Sequence, residues 1–544
     1  MLNLLVKARV SMRKYSTDEL NKMDKQTLIT LFESLQNQLI TMNAQLEAIS
    51  QQLALMNQRS FGRKTEKMDQ IANQLSLFDV FNEPEVLSDN SREPEITEIV
   101  VSTHTRKKKT KREDKLEGLP ARVFEHRIEE EELHRMFPFG YKELPSEVYK
   151  RLYVIPQTFM VDEHHIHVYA SRNNDGTIVR ASRPKDVFRN SIVTPALLST
   201  IVVGKYANHI PLERQSQCYK DYGVELETNT MANWMIKGAE QYFSILYDEL
   251  HNYLYKSNII HADETPFTVI KDGRKAGTDS YMWVYRNGAC DAENPVVIYD
   301  YQQTRKTDHP REFLKGYSGI VVTDGYQVYH SLEKQREDLQ VAGCWIHAKR
   351  KFAEIVKTSN SEDLSKDNIV AAEAVRRISK MFHEDNQLDN LSKADKEKQR
   401  GRLLKPLVDD FFAWAKETIS KLPADGATHK GLQYCINQEK YLRVFLSNGY
   451  VPMDNNRAEQ AIRPFTIGRK NWVNIYSPNG AGASAILYSI IETAKANRLR
   501  LNDYIEYAIT ELVNHQDDTN RDFLKDLLPW SDIVQEKFHS TQKS

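Results

Sequence analysis

The stretch SNIIHADETPF (257–267) decides how this chain is read. Ile259, His261 and Asp263 fall on one face by the period of two that a strand imposes, and Pro266 marks the strand's end. Downstream, SYMWVYRN (280–287) and PVVIYDY (295–301) read as the two strands of a long hairpin. SGIVVTDGYQVY (318–329) reads as a fourth strand, with Asp324 at its C-terminal end before Gly325. VAGCWIHAKRKF (341–352) reads as a fifth strand running into a basic helix. The region thus gives three strands, then a fourth and a fifth, with an acid on the first and another on the fourth.

That order is the ribonuclease-H-like arrangement. Its first and fourth strands lie side by side, so Asp263 and Asp324 are expected to meet. A third acid must come from a helix, and MDNNRAEQAIRPF (453–465) supplies one. Asp454 or Asn455 can cap it, and Pro464 is expected to end it near Arg463. Asn455, Glu459 and Arg463 share one stripe at i, i+4, i+8, while Ala458, Ala461 and Ile462 form an apolar stripe suited to packing on a sheet. Three clustered carboxylates repel one another and become tolerable with a cation between them. Hard oxygen ligands select Mg²⁺ or Mn²⁺. Two such ions about 4 Å apart activate a nucleophilic oxygen and stabilise the leaving oxygen of a phosphodiester.

Asp263, Asp324 and Glu459 are therefore the candidate catalytic and metal-holding residues. Arg463, Arg469 and Lys470 on the same helix, and Lys349 and Arg350 on the basic helix after the fifth strand, are candidates for gripping phosphates. Among 75 Asp and Glu, the weight of these three lies in their order and context. Glu264 is the obvious decoy, because in a strand it points away from Asp263. Cys344 and His347 form a lone CxxH with no second pair, which reads as a core pair rather than a zinc site.

The remainder of the chain fits a multidomain protein with DNA as partner. At 544 residues it is too long for one core. Apolar residues make up 40% and charged residues 27%, enough of each for packed, water-facing domains. No apolar stretch is long enough to span a membrane. The apolar run in MLNLLVKARV is too short for a signal peptide. Four scattered cysteines form no disulfide framework, which suits a reducing compartment. A bacterial cytoplasmic location is expected. Net charge is −1, yet RKKKTKR (106–112) carries six cations in seven residues, and 446–500 hold seven Lys or Arg against three Asp or Glu. Local basic patches of this kind are what phosphate backbones read.

Leu28, Phe32, Leu35, Leu39, Met42, Leu46, Ile49, Leu53 and Met56 alternate steps of four and three, an a/d seam that predicts a coiled coil and self-association. In HHIHVYAS (164–171) a solvated strand face is expected rather than a metal site. Residues 194–242 look trihelical. Thr194 can cap and Pro195 suits a first turn, a second helix starts at Pro211 and stops at Gly223, and a third follows ETNT through Met231, Trp234 and Met235. This is the outline of a helix-turn-helix, with Lys237 placed to meet DNA.

HADETP (261–266), TDGYQVY (323–329), CWIHAKRKF (344–352), MDNNRAEQAIRPFTIGRKNW (453–472) and YSIIETAKANRL (488–499) together resemble the insertion sequence 66 family of bacterial transposases. KYANHIPLERQ (205–215), LLPW (527–530) and SFGRKTEK (60–67) extend the match nearly end to end. The resemblance implies a DDE-type transposase that binds terminal inverted repeats, cuts DNA and joins ends, and its catalytic acids fall on Asp263, Asp324 and Glu459. A nuclease that cuts without strand transfer, or a decayed DNA-binding regulator, is the alternative. The implied multidomain α+β organisation is a coiled coil (18–58), a basic linker (59–118), a degenerate zinc-finger-like β module (119–190) and a helix-turn-helix domain (191–250). A ribonuclease-H-like α/β core follows in two parts (251–355 and 446–515) around a helical insertion (356–445), with a C-terminal element (516–544). Family members carry CxxC pairs where Met136, Phe139, Ser171 and Asn174 stand here, so no zinc is expected. Phe137 and Phe139 are expected to fill the gap. Partners expected from the resemblance are double-stranded DNA, further copies of the chain and small accessory element proteins.

Overall fold

The computed structural model describes residues 157–170, 178–275, 277–288, 294–358 and 366–540, with 24, 25, 27, 36, 123 and 127–139. The heptad seam (apart from Thr27 and Gln36), the 59–118 linker, VYKRLYVIP, Ser171 and Asn174 lie outside the described residues. Two compact units form: one contains Tyr247–Thr493, the other the described residues between Asn82 and Leu246 joined by those from Ala494 onward. No helix among the described residues is long and apolar enough to cross a membrane.

Among the described residues from 123 to 190, the elements are a helix, α1 (Glu130–Met136), and a short antiparallel pair of β1 (Val168–Ala170) and β2 (Ile178–Arg180). His164, His165 and His167 precede β1 instead of lying in it, and His165 pairs with Glu163 at 3.0 Å. Phe139 is fully exposed and Phe137 about half exposed. Among the described residues, Phe139 fills no gap, because strands of three residues with exposed Val168, Ile178 and Val179 offer no interior there.

The trihelical segment forms as its caps dictate. Helix α2 (Pro195–Tyr206) begins where Thr194 Oγ1 accepts from Leu197 N at 3.2 Å, with Pro195 in the first turn. It is apolar on nearly every side, which marks a central, buried helix. Helix α3 (Leu212–Asp221) ends at Gly223, whose φ of 79° is the left-handed value a helix C-terminus favours. Helix α4 (Thr228–Gly238) buries Met231, Trp234, Met235 and Gly238. The turn between α3 and α4 is pinned by Ser216 Oγ, which donates to the Leu226 carbonyl at 2.6 Å.

After α5 (Ser244–Leu254) comes the sheet: β3 (Ile259–Thr268), β4 (Asp279–Asn287), β5 (Val297–Gln302), then α6 (Asp308–Phe313), β6 (Gly319–Thr323), α7 (Gln327–Gln335) and β7 (Leu339–Gly343). The spatial order is β5-β4-β3-β6-β7. The β3–β4 and β4–β5 pairs are antiparallel, while β3–β6 and β6–β7 are parallel. Strand β3 runs two residues past Pro266, where it was expected to stop. Proline is tolerated there because β6 pairs only with Ile259–His261, leaving that side of β3 without a strand partner at Pro266.

Helix α8 (Trp345–Thr358) follows β7. The segment beyond it folds as α9 (Lys366–Asn386), α10 (Lys393–Gln399), α11 (Lys405–Ile419), α12 (Ala427–Asn437) and α13 (Glu439–Leu442). Trp345 and Phe352 of α8, Ile378 and Met381 of α9 and Phe411 and Phe412 of α11 share one apolar core with Ile259, Val322 and Ala342 of the sheet. Arg400, 1% exposed, ties this layer together. It grips Asp385 at 2.6 and 2.8 Å and donates to the carbonyls of Phe445, Asn448 and Val451.

Helix α14 (Asn456–Trp472) and helix α15 (Pro478–Ala496) return to the sheet. Ser489 and Thr493 of α15 cover the edge of β5: Tyr299 N donates to Ser489 Oγ, and Thr493 Oγ1 both accepts from Val297 N and donates to its carbonyl. Such cover protects an edge strand from pairing with another chain. Helix α16 (Leu501–Asn514), expected to belong with the sheet, packs on α2 instead. Its buried stripe of Tyr504, Ile505, Ala508, Ile509 and Leu512 supplies the apolar face.

Candidate active site

Parallel pairing brings the first two acids together. Ile259 faces Ile320, Ile260 faces Val321 and His261 faces Val322, an offset of 61 residues (320 − 259) throughout. Extended two residues beyond the observed pairing, the same offset puts Asp263 opposite Asp324, whose charge raises the Asp263 carboxyl. Asp324 directly follows β6, and its turn is fixed at several points. Its Oδ1 accepts from Tyr326 N at 3.0 Å, and Tyr434 of α12 donates to its carbonyl at 2.8 Å. Gly325 takes a φ of 94°, open to glycine at little steric cost.

Glu459 arrives on α14 and is buried. The helix does not end at Pro464 but runs through it to Trp472. The ring removes one backbone donor, but the packing of Ala458, Ala461 and Phe465 holds the helix across that gap. Asn455 precedes the helix without capping it through its side chain. Its Nδ2 donates to the Ala262 carbonyl at 2.9 Å and its Oδ1 faces His261 Nδ1 at 2.9 Å. Since that oxygen accepts, His261 carries its proton on Nδ1. Burial pushes the His261 imidazole down to about 4, so the ring is neutral. Of the two side chains expected to cap the helix, Asp454 Oδ1 accepts from Asn456 N at 3.0 Å, while Asn455 bolts the helix to β3, four residues before Glu459.

The electrostatics are those of crowded carboxylates. Burial first, then Glu264, Asp324 and Glu459, hold the Asp263 carboxyl well above the usual range. Glu264, expected to point away and matter little, is a buried carboxylate. Burial and Asp324 push it up to about 7, while Arg305 opposes that rise. Arg305 Nε donates to Glu264 Oε1 at 2.9 Å, and its guanidinium lies 3.8 Å above the Tyr326 ring. Arg305 carried no motif, and only the fold brings it here.

The cationic candidates divide. Arg350 Nη2 donates to Glu459 Oε2 at 3.2 Å. Arg469 Nη1 donates to Thr265 Oγ1 at 3.3 Å and to the Pro266 carbonyl, so this arginine ties α14 to β3. Lys470 is exposed, Arg463 and Lys349 are half-buried, and burial lowers the Lys349 ammonium. Lys237 is in the other unit, where it lines a cavity of 580 Å³ with Arg183, Lys185 and Arg189.

Two donor sets could hold a metal. The three acids offer hard oxygens, and Glu459 Oε1 is buried with no hydrogen-bond partner. By donor chemistry that set suits Mg²⁺ or Mn²⁺, but its three carboxylates do not close to within 4.8 Å of one another. Cys344, His347 and Glu459 also bring one donor atom each within 4.8 Å of one another. Cys344, however, is fully buried, its thiol is pushed up to about 12, and its Sγ already accepts from Asn455 N at 3.3 Å. That set offers a thiol, an imidazole and a carboxylate, three of the four ligands that a structural zinc site uses.

Residues 190–483 match the family model described as "Transposase IS66 family", and residues 48–123 match one described as "Transposase C of IS166 homeodomain". The uncharacterized protein y4qI of Sinorhizobium fredii is 30% identical over 392 residues, 70% of each chain. The uncharacterized protein y4hP of the same organism is 27% identical over 401 residues, 71% of each chain.

Proposed function

Because the chain belongs to the IS66 transposase family, we propose that it binds the ends of its element and catalyses metal-dependent DNA strand cleavage and strand transfer at Asp263, Asp324 and Glu459. The observation that carries this reading is the constant 61-residue offset between β3 and β6, which equals the separation of Asp263 and Asp324. The sheet order, three antiparallel strands followed by two parallel ones, supports a ribonuclease-H-like core. The helices between α8 and α14 are then its insertion, and α2 to α4 its helix-turn-helix.

The three carboxylates would hold Mg²⁺ or Mn²⁺, which when bound makes a water or a 3′-hydroxyl nucleophilic toward a phosphodiester and stabilises the leaving oxygen. The chain's own contribution is rigidity. The Asp324 turn is fixed by Tyr326 N and Tyr434, and Asn455 locks the start of α14 to β3. Lys470, Arg463 and Lys349 are proposed to meet DNA phosphates near the acids, and Lys237 those of the element end. The heptad seam is proposed to join copies of the chain, since pairing two DNA ends needs more than one. Accessory element proteins are proposed as further partners, and the 119–190 module is proposed to hold no zinc.

The direct test is to incubate the protein with the DNA flanking its own gene and Mg²⁺, and to map the 3′ ends. Defined 3′ ends at the element boundary that then join target DNA are expected. Random nicking without joined products contradicts strand transfer.

A further inference from the structure

The CxxH pair is the motif that the three carboxylates leave unexplained. Lengthened by one turn, it becomes Cys344, His347 and Arg350, spaced by three from the residue just before α8 into its first two turns. All three contact the start of α14. Cys344 Sγ accepts from Asn455 N at 3.3 Å. His347 Nδ1 lies 3.6 Å from Glu459 Oε1, and both atoms are buried without a hydrogen-bond partner. Arg350 Nη2 donates to Glu459 Oε2 at 3.2 Å, and its Nη1 faces His347 Nε2 at 3.4 Å.

The direction of these contacts follows from chemistry. A guanidinium only donates. His347 Nε2 must then accept, so the ring's proton sits on Nδ1, the nitrogen facing Oε1. Each oxygen of Glu459 thus faces one donor, from residues one turn apart on a single helix.

We propose that His347 and Arg350 are positioning residues that hold both oxygens of Glu459, so that the third carboxylate is presented to a divalent cation in one fixed orientation. This rests on the reading of Asp263, Asp324 and Glu459 as a metal centre. It also gives the CxxH pair a role other than zinc: Cys344 fixes the backbone at Asn455, and His347 and Arg350 fix the acid one turn on.

The test is Mn²⁺ calorimetry on the full chain, comparing wild type with His347→Asn, His347→Gln and Asp263→Asn. The asparagine amide reaches the position of Nδ1, whereas glutamine reaches that of Nε2. His347→Gln is expected to weaken Mn²⁺ binding about 10–100-fold, the usual effect of losing a group that orients a metal ligand. His347→Asn is expected to restore most of it. Equal losses in both variants, or none in either, overturn the proposal. If no loss is seen while Asp263→Asn abolishes binding, the metal centre stands and only the positioning role falls. If Asp263→Asn has no effect, both readings fall. Stoichiometric zinc in the purified protein, removed by Cys344→Ser, also overturns it.

Discussion

At Asp263, burial and three neighbouring carboxylates all oppose ionisation. A carboxyl raised in the folded state binds protons that the unfolded chain has released. Its contribution to stability is therefore present below its unfolded value and lost as pH rises through the folded one. Glu264, pushed up to about 7, places part of that loss between pH about 4.5 and 7. Without divalent metal, stability should fall across this window, and Asp263→Asn should raise Tm at neutral pH by several degrees. Thermal melts from pH 4 to 8 with EDTA check both, and a flat profile contradicts the crowding described. Arg469 belongs to the same scale. Its guanidinium is engaged by Thr265 and Pro266, so Arg469→Ala should destabilise by about 1–3 kcal/mol with little change in the salt dependence of DNA binding. Lys470→Ala should instead reduce the slope of log K against log salt by about 1. Strand order proposed Asp263 and Asp324 as neighbours, and the facing of a helix added Glu459. Arg305 and the bolt formed by Asn455 were not legible, because the first has no motif and the second competed with a plausible capping role.

Among the elements, α14 and the layer between α8 and α14 differ most from expectation. Periodicity identified the face of α14 that carries Glu459, but proline chemistry misjudged its length. Burial of Ala458, Ala461 and Phe465 carries the helix through Pro464. Strand β3 repeats the lesson at Pro266, where the open side of the strand needs no N–H. Helical patterning in 356–445 was readable, whereas its shared core with the sheet depends on long-range packing that no local pattern reports. Arg400 is the sharpest test of that packing. Four of its five hydrogen bonds are fully buried, and removing it leaves Asp385 with Lys396, 3.6 Å away, in place of its guanidinium partner. Arg400→Ala should cost about 3–5 kcal/mol in chemical denaturation. A loss below about 1 kcal/mol, the scale of an exposed pair, would show that this layer is held together by other contacts.

For the whole molecule, helix α16 sits with α2 rather than with the sheet, so the last stretch assigned to the core closes the helical unit. Its amphipathic stripe was legible in sequence; which apolar partner it would find was not. The heptad seam makes a prediction at this scale too. Removing residues 1–58 should lower the oligomeric state in sedimentation velocity, and an unchanged state contradicts self-association through the seam. The central claim is that three carboxylates on β3, after β6 and on α14 form one reaction centre that is separable from DNA binding. Asp324→Asn tests it most directly, assayed in parallel for binding to the element ends and for Mg²⁺-dependent cleavage. Wild-type binding with cleavage abolished is expected; cleavage at the wild-type rate in that variant overturns the shared reaction centre.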